Sequence, residues 1–420
     1  MSKTIAEILP EVRARFAHVE TCPYNGRRVF FENAGGGLTL KSVVETSAAL
    51  AAMPDNQGRD NPASQALMDM IEKGRADAAE FLGTTGGQII VGESGTELLF
   101  RLIRAACLGL AEGGNVVSAT LEHPASRSAA ALWAERTDRA HVLADHDNAT
   151  GTIAPDAYAT AVTPETRLAT IIHTSPVTGM EVDVPAIVAA IRTIAPECMI
   201  IVDGIQHAAH GAVDVGGMGD VDAYVISPYK VFSRHGYGIA WLSDRLAAMP
   251  HDHFAGGGEA RWELGTRDAG AYATFSQVVA YFDWLGQSLG ATGDRRARLE
   301  AAGRAIHAQE NALSEAMLHG IGNLAGLADL PGLTLIGGVD NPAREGLVSL
   351  VVDGMDAPAV VEALRQRGVL THARKADHYS GSVLAPLGFD GCTRVSMCHY
   401  NSTEEVAQFL SAMREITEGK

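Results

Sequence analysis

The run Asp222-Ala-Tyr-Val-Ile-Ser-Pro-Tyr-Lys-Val-Phe-Ser-Arg-His-Gly-Tyr-Gly238 decides how the rest of the chain is read. Tyr224, Val225 and Ile226 have the pattern of a buried strand, which delivers Ser227 and Lys230 into a glycine-rich turn before a second apolar run, Ile239 to Leu242. A lysine between two buried strands is poorly placed as a solvated charge. An amine held there tends to lose its proton, and a neutral amine can form a Schiff base with a carbonyl. The competing reading is an ordinary turn lysine, and only the rest of the chain separates the two.

Around this turn, residues 88–242 alternate short apolar runs with helices. Strands are expected at Gln88–Val91, Asn115–Ala119, Leu168–Ile172, Met199–Val202, Tyr224–Ile226 and Ile239–Leu242, with helices starting near Gly95, His123, Val184 and Gln206. Such a pattern indicates an α/β fold with a mostly parallel sheet covered on both faces. Upstream, the spacing predicts an amphipathic helix over 4–16 and a short strand from Arg28 into the Gly35-Gly36-Gly37 loop. It also predicts helices over 38–53 and from Gln65 to Leu82, the latter capped by Ser64. After about residue 270 the pattern becomes α+β, with helices at 292–318, 357–367 and 402–416 and strands at Leu333–Ile336, Leu347–Val352 and Val395–Met397. The expected division is a large domain over 30–275 and a smaller α+β domain from 1–29 and 276–420, in keeping with 420 residues being too many for one simple core.

Composition narrows the function. Hydrophobic residues at 46% and charged residues at 20% argue against disorder. The 33 basic against 50 acidic residues, a net charge of −17, argue against a nucleic-acid or anionic-membrane partner. An anionic small molecule stays open, provided a local pocket supplies its charge partners. Cys22, Cys107, Cys198, Cys392 and Cys398 are scattered, which reads as free thiols in a reducing compartment, with neither a disulfide framework nor a zinc site. The first ten residues carry charges where a signal peptide needs an apolar core, and no apolar run reaches membrane-spanning length, so a cytoplasmic protein is expected.

In covered parallel sheets, ligands sit at the carboxyl ends of the strands. Past the first strand, Gly92-Glu93-Ser94-Gly95-Thr96 opens a helix whose free N–H groups could hold phosphate with the Thr96 hydroxyl; alternatively Ser94 or Thr96 simply caps it. His123 follows the next strand, as a cap or facing a ligand. Asp203 ends another strand, either capping the next helix or standing beside a cation, since a buried carboxylate is costly without one. A Schiff-base lysine, an acid at a strand end, a phosphate-holding helix start and a stacking histidine together describe a pyridoxal phosphate (PLP) site. Lys230 bonds the aldehyde carbon, and Asp203 keeps the pyridine nitrogen protonated, so that the ring is an electron sink.

With these residues in place, the chain resembles the class V aminotransferase family, in its cysteine desulfurase-like branch, fold type I among PLP enzymes. The resemblance runs from about Phe31 to Glu405. It is carried by Ser227-x-x-Lys230 with Gly236-x-Gly238, by Asp203-x-x-Gln206, by Arg394-Val-Ser, and by Phe31-Glu32-Asn33-Ala34 and Glu263-Leu264-Gly265-Thr266. It implies a seven-stranded-type sheet in the large domain, and catalytic roles for Lys230, His123 and Asp203. Gln206 would bond the ring's phenolic oxygen, His123 would stack on the ring, and Gly95, Thr96 and Ser227 would hold the phosphate. Gly265 and Thr266 would reach the neighbouring subunit's site in a homodimer. Arg394 would clamp the substrate α-carboxylate, helped by the loop at Asn33 and Ala34.

Three departures bear on the reaction. Tyr229 stands where the family often has histidine, and Pro176 replaces an asparagine, removing side-chain and backbone donors. The segment Thr371 to Ser380 lacks the nucleophilic cysteine that desulfurases carry upstream of the terminal arginine. A persulfide-forming desulfurase is therefore not expected. Arg374, His378 and Tyr379 would lie near the substrate side chain, Arg374 either reading a second acidic group or standing as a solvated surface arginine. The expected activity is lyase chemistry at a C–S, C–Se or other Cβ bond of an α-amino acid. An aminotransferase or epimerase is the alternative, and a non-catalytic PLP-binding scaffold the second.

Overall fold

The structure, a computed structural model, describes residues 3–53, 57–256, 262–265 and 268–418. Seven strands make the main sheet: β1 (Gln88–Gly92), β2 (Asn115–Ala119), β3 (Ala140–Ala144), β4 (Thr166–Ile172), β5 (Met199–Asp203), β6 (Ala223–Ile226) and β7 (Gly238–Leu242). Their order is β1-β7-β6-β5-β4-β2-β3. β7 runs antiparallel to both β1 and β6, and the other neighbours are parallel. The carboxyl ends of β1, β2, β4, β5 and β6 therefore share one edge, and the Ser227–Tyr237 turn crosses that edge. All six expected strands are present within two residues. β3 was not anticipated, because it is an edge strand with mostly part-exposed residues and lacks a continuous apolar run.

The entry segment is a 3-10 turn, Ala6–Ile8, leading into a short helix α1 (Leu9–Arg13), which buries Ile5, Ile8, Val12 and Phe16. Next come α2 (Lys41–Ala51) and α3 (Pro62–Leu82). The cap of α3 is Asn61, whose side chain accepts from the Ser64 N–H at 2.8 Å; Ser64, expected in that role, lies inside the helix because Pro62 can occupy its first turn. Within the sheet region lie α4 (Gly95–Gly109), α5 (Pro124–Arg136), α6 (Pro155–Ala161) and α7 (Val184–Ile194). The helix expected near Gln206 is only a 3-10 turn, His207–Ala209.

A long helix α8 (Ala269–Ser288) was also missed in sequence: 13 of its 20 residues are buried, so it has no polar face to produce a stripe. It packs against α3 where a Cβ on Gly74 would stand 2.6 Å from the Tyr272 Cβ, so the contact needs glycine. Beyond it lie α9 (Arg295–His319), α10 (Ala357–Gln366) and α11 (Thr403–Glu418). These pack on an antiparallel sheet of β8 (Leu333–Leu335), β9 (Leu347–Val352), β10 (His372–Lys375) and β11 (Gly391–Ser396), in the order β8-β9-β11-β10. The strand expected at Val395–Met397 starts earlier, at Gly391, and the polar β10 was read as loop. Val29–Phe30 pairs in parallel with Val369–Leu370, which brings the Asn33 loop beside β11. Among the described residues no helix is long and apolar enough to cross a membrane.

Candidate active site

The shared carboxyl edge gathers side chains from five segments into one cleft. Thr96 comes from α4, His123 from the start of α5, Asp203 and Gln206 from the end of β5, and Ser227, Tyr229 and Lys230 from the turn after β6. Ile172 at the end of β4, with Thr174 and Pro176 past it, completes its wall. Gly95 stands just behind: a Cβ there would lie 2.4 Å from Ser227 Oγ, so any side chain would press the helix start against that hydroxyl.

Lys230 Nζ donates to Gln206 Oε1 at 2.9 Å. Burial, reinforced by Arg394 and Arg374, brings its amine down to about 7 despite the nearby Asp203. Asp203 is 3% exposed and accepts from the Ile205 N–H at 3.1 Å and Ser126 Oγ at 3.3 Å. Burial raises its carboxyl above the usual range, and among the described residues it forms no ion pair. Asp203 therefore faces the cleft and caps no helix: only a 3-10 turn follows, and its cap position, Gln206, makes no side-chain cap bond. His123 both caps α5 and faces the cleft: Nδ1 accepts from the Ala125 N–H at 3.1 Å, while burial, with Lys230, Arg374 and Arg127, pushes the ring down to about 3. With Nδ1 as acceptor, the hydrogen of the neutral ring sits on Nε2. Ser94 caps α4 by accepting from the Glu97 N–H at 3.0 Å, which leaves the Thr96 hydroxyl for the cleft.

Arg394, 2% exposed on β11, donates through Nη1 to the Pro176 carbonyl at 2.9 Å, and its Nε has no partner among the described residues. Arg374 is not the solvated surface residue sequence allowed. It is half-buried with an unpartnered Nε. The register pairs Arg374 with Cys392 and His372 with Arg394, so both arginines project from one face of the small sheet. Tyr379 tilts against His123, with ring centroids 5.7 Å apart, and Arg374 lies 5.9 Å from the Tyr379 ring. The Asn33 amide is fully used by the fold: Nδ2 donates to Ser396 O at 2.9 Å and Oδ1 accepts from the Tyr400 hydroxyl. Anything this loop offers a ligand comes from its backbone. Gly265 lies away from the cleft, on a cavity of about 730 Å³ with Arg75, Trp262 and Tyr272, and Thr266 falls outside the described residues.

The model for Aminotransferase class-V matches residues 29–409. The chain belongs to the class V aminotransferase family. Among curated relatives, an aminotransferase-like protein, FGM3, of Gibberella zeae is 27% identical, the alignment spanning 97% of this chain and 98% of the relative. A cysteine desulfurase-like protein, ustD, of Aspergillus flavus is 28% identical over 93% of this chain and 88% of the relative. A solved cysteine desulfurase from Thermococcus onnurineus superposes with a TM-score of 0.82 at 20% identity, covering all of both chains, and CsdA of Escherichia coli with 0.79 at 21%, covering 98% of each. These likenesses show fold type I, and enzymes of this family depend on PLP.

The cleft of this class V chain fits that cofactor on its own geometry. A low-pKa amine stands beside a buried carboxylate without an ionic partner, at the edge where an uncapped hydroxyl and a helix start meet.

Two buried groups around the cleft had no role in the sequence reading. Glu122, 2% exposed, accepts from Thr170 Oγ1 at 2.7 Å, and burial raises its carboxyl to about 8. Its position beside His123 was the only clue. Behind Gln206, His173 and His207 stack with centroids 3.6 Å apart and planes 21° off parallel. His207 Nδ1 is 2.8 Å from Glu345 Oε1; burial disfavours its charge, but Glu345 overrides that and raises the ring to about 9. Near-parallel rings cannot both aim in-plane lone pairs at one ion, so this cluster is an ionic fastener and not a metal centre.

Proposed function

We propose that this chain is a PLP-dependent β-lyase that cleaves a bond at Cβ of an α-amino acid without a cysteine nucleophile. One observation carries this: on the segment where a desulfurase needs its thiol, Tyr379 tilts against His123 and Arg374 lies beside the Tyr379 ring. Cys392 and Cys398, the thiols flanking Arg394, are buried at 0% and 1% exposure.

Lys230 would supply the amine that holds the cofactor, with Asp203 as the carboxylate for its pyridine nitrogen. Gln206 would serve the phenolic oxygen and Gly95, Thr96 and Ser227 the phosphate, with Thr266 of a second copy joining them in a homodimer. When bound, PLP accepts the electron pair left at the substrate's Cα. Lys230 would also be the base that moves the Cα proton, because its pKa lies near neutrality. His123 would pack on the cofactor ring with its hydrogen on Nε2; its engaged Nδ1 makes it a poor base. Arg394 takes the α-carboxylate as a fork, and Arg374 faces the side chain, favouring substituents that leave as anions.

The test mixes the PLP-loaded protein with a panel of amino acids, followed by cofactor absorbance and mass spectrometry. Pyruvate and ammonia with a substituent departing as an anion, or alanine where the substituent departs without the bonding electron pair, is the expected result. Accumulation of the pyridoxamine form would replace lysis by transamination. A spectrum that no amino acid perturbs would leave a binding scaffold.

A further inference from the structure

Behind the cleft, hydrogen bonds continue from Gln206 away from Lys230. Gln206 Nε2 is 3.0 Å from His210 Nε2, His210 Nδ1 is 2.7 Å from Glu310 Oε2 on α9, and Glu310 Oε1 accepts from the His399 N–H at 3.1 Å. His210 is 4% exposed and Glu310 fully buried. The other charged or titratable groups acting on His210 are Glu345 and His207, and the neutral His399 ring stands beyond. We propose that the His210–Glu310 pair orients the Gln206 amide so that its NH2 group faces the cleft and donates to the cofactor's phenolic oxygen. His210 and Glu310 are then positioning residues. This rests on the role given to Gln206 above.

The argument is a count of protons. A buried pair is cheapest with no net charge. It then holds one proton between Nδ1 and Oε2, and wherever that proton rests, the remaining imidazole hydrogen is on Nε2. Burial raises the Glu310 carboxyl; burial disfavours the His210 charge, but Glu310 outweighs it and raises the ring, so both shifts keep the proton in the pair. Nε2–H is a donor, and only the carbonyl end of Gln206 can accept from it. As placed, Gln206 presents Oε1 to Lys230 and Nε2 to His210, two donors facing each other. A half-turn of the amide removes that clash and leaves NH2 toward the cleft. The neutral Lys230 amine accepts from it in the free protein; once Lys230 is linked to the cofactor, the phenolic oxygen is the acceptor.

The experiment reads the visible absorption of the PLP-loaded, full-length protein against pH in wild type, Q206L, H210L and E310Q. A donor on the phenolic oxygen draws its charge away from the protonated nitrogen of the lysine linkage. Losing it moves the titration midpoint up by about one pH unit. Q206L and H210L should both show this shift. E310Q should not: its amide oxygen stays on the His399 N–H, its NH2 donates to His210 Nδ1, and Nε2 keeps its hydrogen. A shift in Q206L without one in H210L overturns the proposal, as does E310Q moving as far as Q206L. The E310Q result stands even if H210L fails to fold. No visible band in wild type removes the parent reading as well, whereas identical titrations in wild type and H210L remove this one alone.

Discussion

Arg394 Nη1 and the Pro176 carbonyl oxygen are 2.9 Å apart, joining the small sheet to the loop past β4 at the mouth of the cleft. This explains how a proline serves at position 176. Proline loses the donors of that position but keeps the carbonyl, and the carbonyl is what Arg394 uses. The guanidinium is thereby held by one arm, and its Nε has no partner among the described residues.

Replacing Arg394 by lysine keeps the charge but not the fork. For R394K the expected outcome is unchanged PLP loading, by absorbance, with a substrate KM raised about 10- to 100-fold, the worth of one lost charge-assisted bond. A KM within twofold of wild type would show that the α-carboxylate binds elsewhere.

The residues past the strand ends were legible because β1, β5 and β6 are continuous apolar runs, so Thr96, Asp203 and Lys230 could be placed at one edge before any coordinates. What stayed hidden depends on long-range contact. Glu310 lies 100 residues from His210, and Glu345 lies 138 from His207, so neither pair leaves a local signal. β10 and α8 were hidden for opposite reasons: the first, His-Ala-Arg-Lys, is too polar to look like a strand, and the second too evenly buried to look amphipathic.

The thiols give a second test of the cysteine-independent reading. Burial pushes Cys392 up to about 11 and Cys398 well above the ordinary thiol range, whereas Cys22 is part-exposed and its pKa is lowered by backbone N–H groups at Tyr24 and Asn25. Iodoacetamide should modify Cys22 first, by peptide mass spectrometry, with lyase turnover unchanged. C392S should also retain turnover. Loss of activity in step with alkylation of either thiol beside Arg394 would restore a sulfur-carrying mechanism.

The His207–Glu345 pair makes a stability prediction. In H207A the Glu345 carboxylate, whose Oε2 already lacks a partner among the described residues, is left buried and unpaired, a loss of about 3–5 kcal/mol by chemical denaturation. The folded-state ring is raised to about 9 from an unfolded value of about 6.5. Its contribution is therefore fully present below about pH 6.5 and is lost as pH rises through 9. Wild type should lose more stability across that window than H207A, in which the raised Glu122 and His210 still titrate. Parallel pH curves would mean that the ring is neutral in the folded chain.

Lys230 predicts the pH dependence of cofactor capture. Only the neutral amine attacks the aldehyde, and with a pKa of about 7 the neutral fraction rises from about one tenth at pH 6 to about nine tenths at pH 8. An unshifted lysine would still be gaining tenfold per unit across the same range and up to pH 10. The rate at which the visible band forms on adding PLP to apoprotein should therefore rise through pH 7 and level off by about pH 8. K230A should form no band at any pH, and borohydride should fix no cofactor to it. A rate still climbing tenfold between pH 8 and 9 would mean that the desolvation lowering this amine is absent, and with it the basis for making Lys230 the proton carrier.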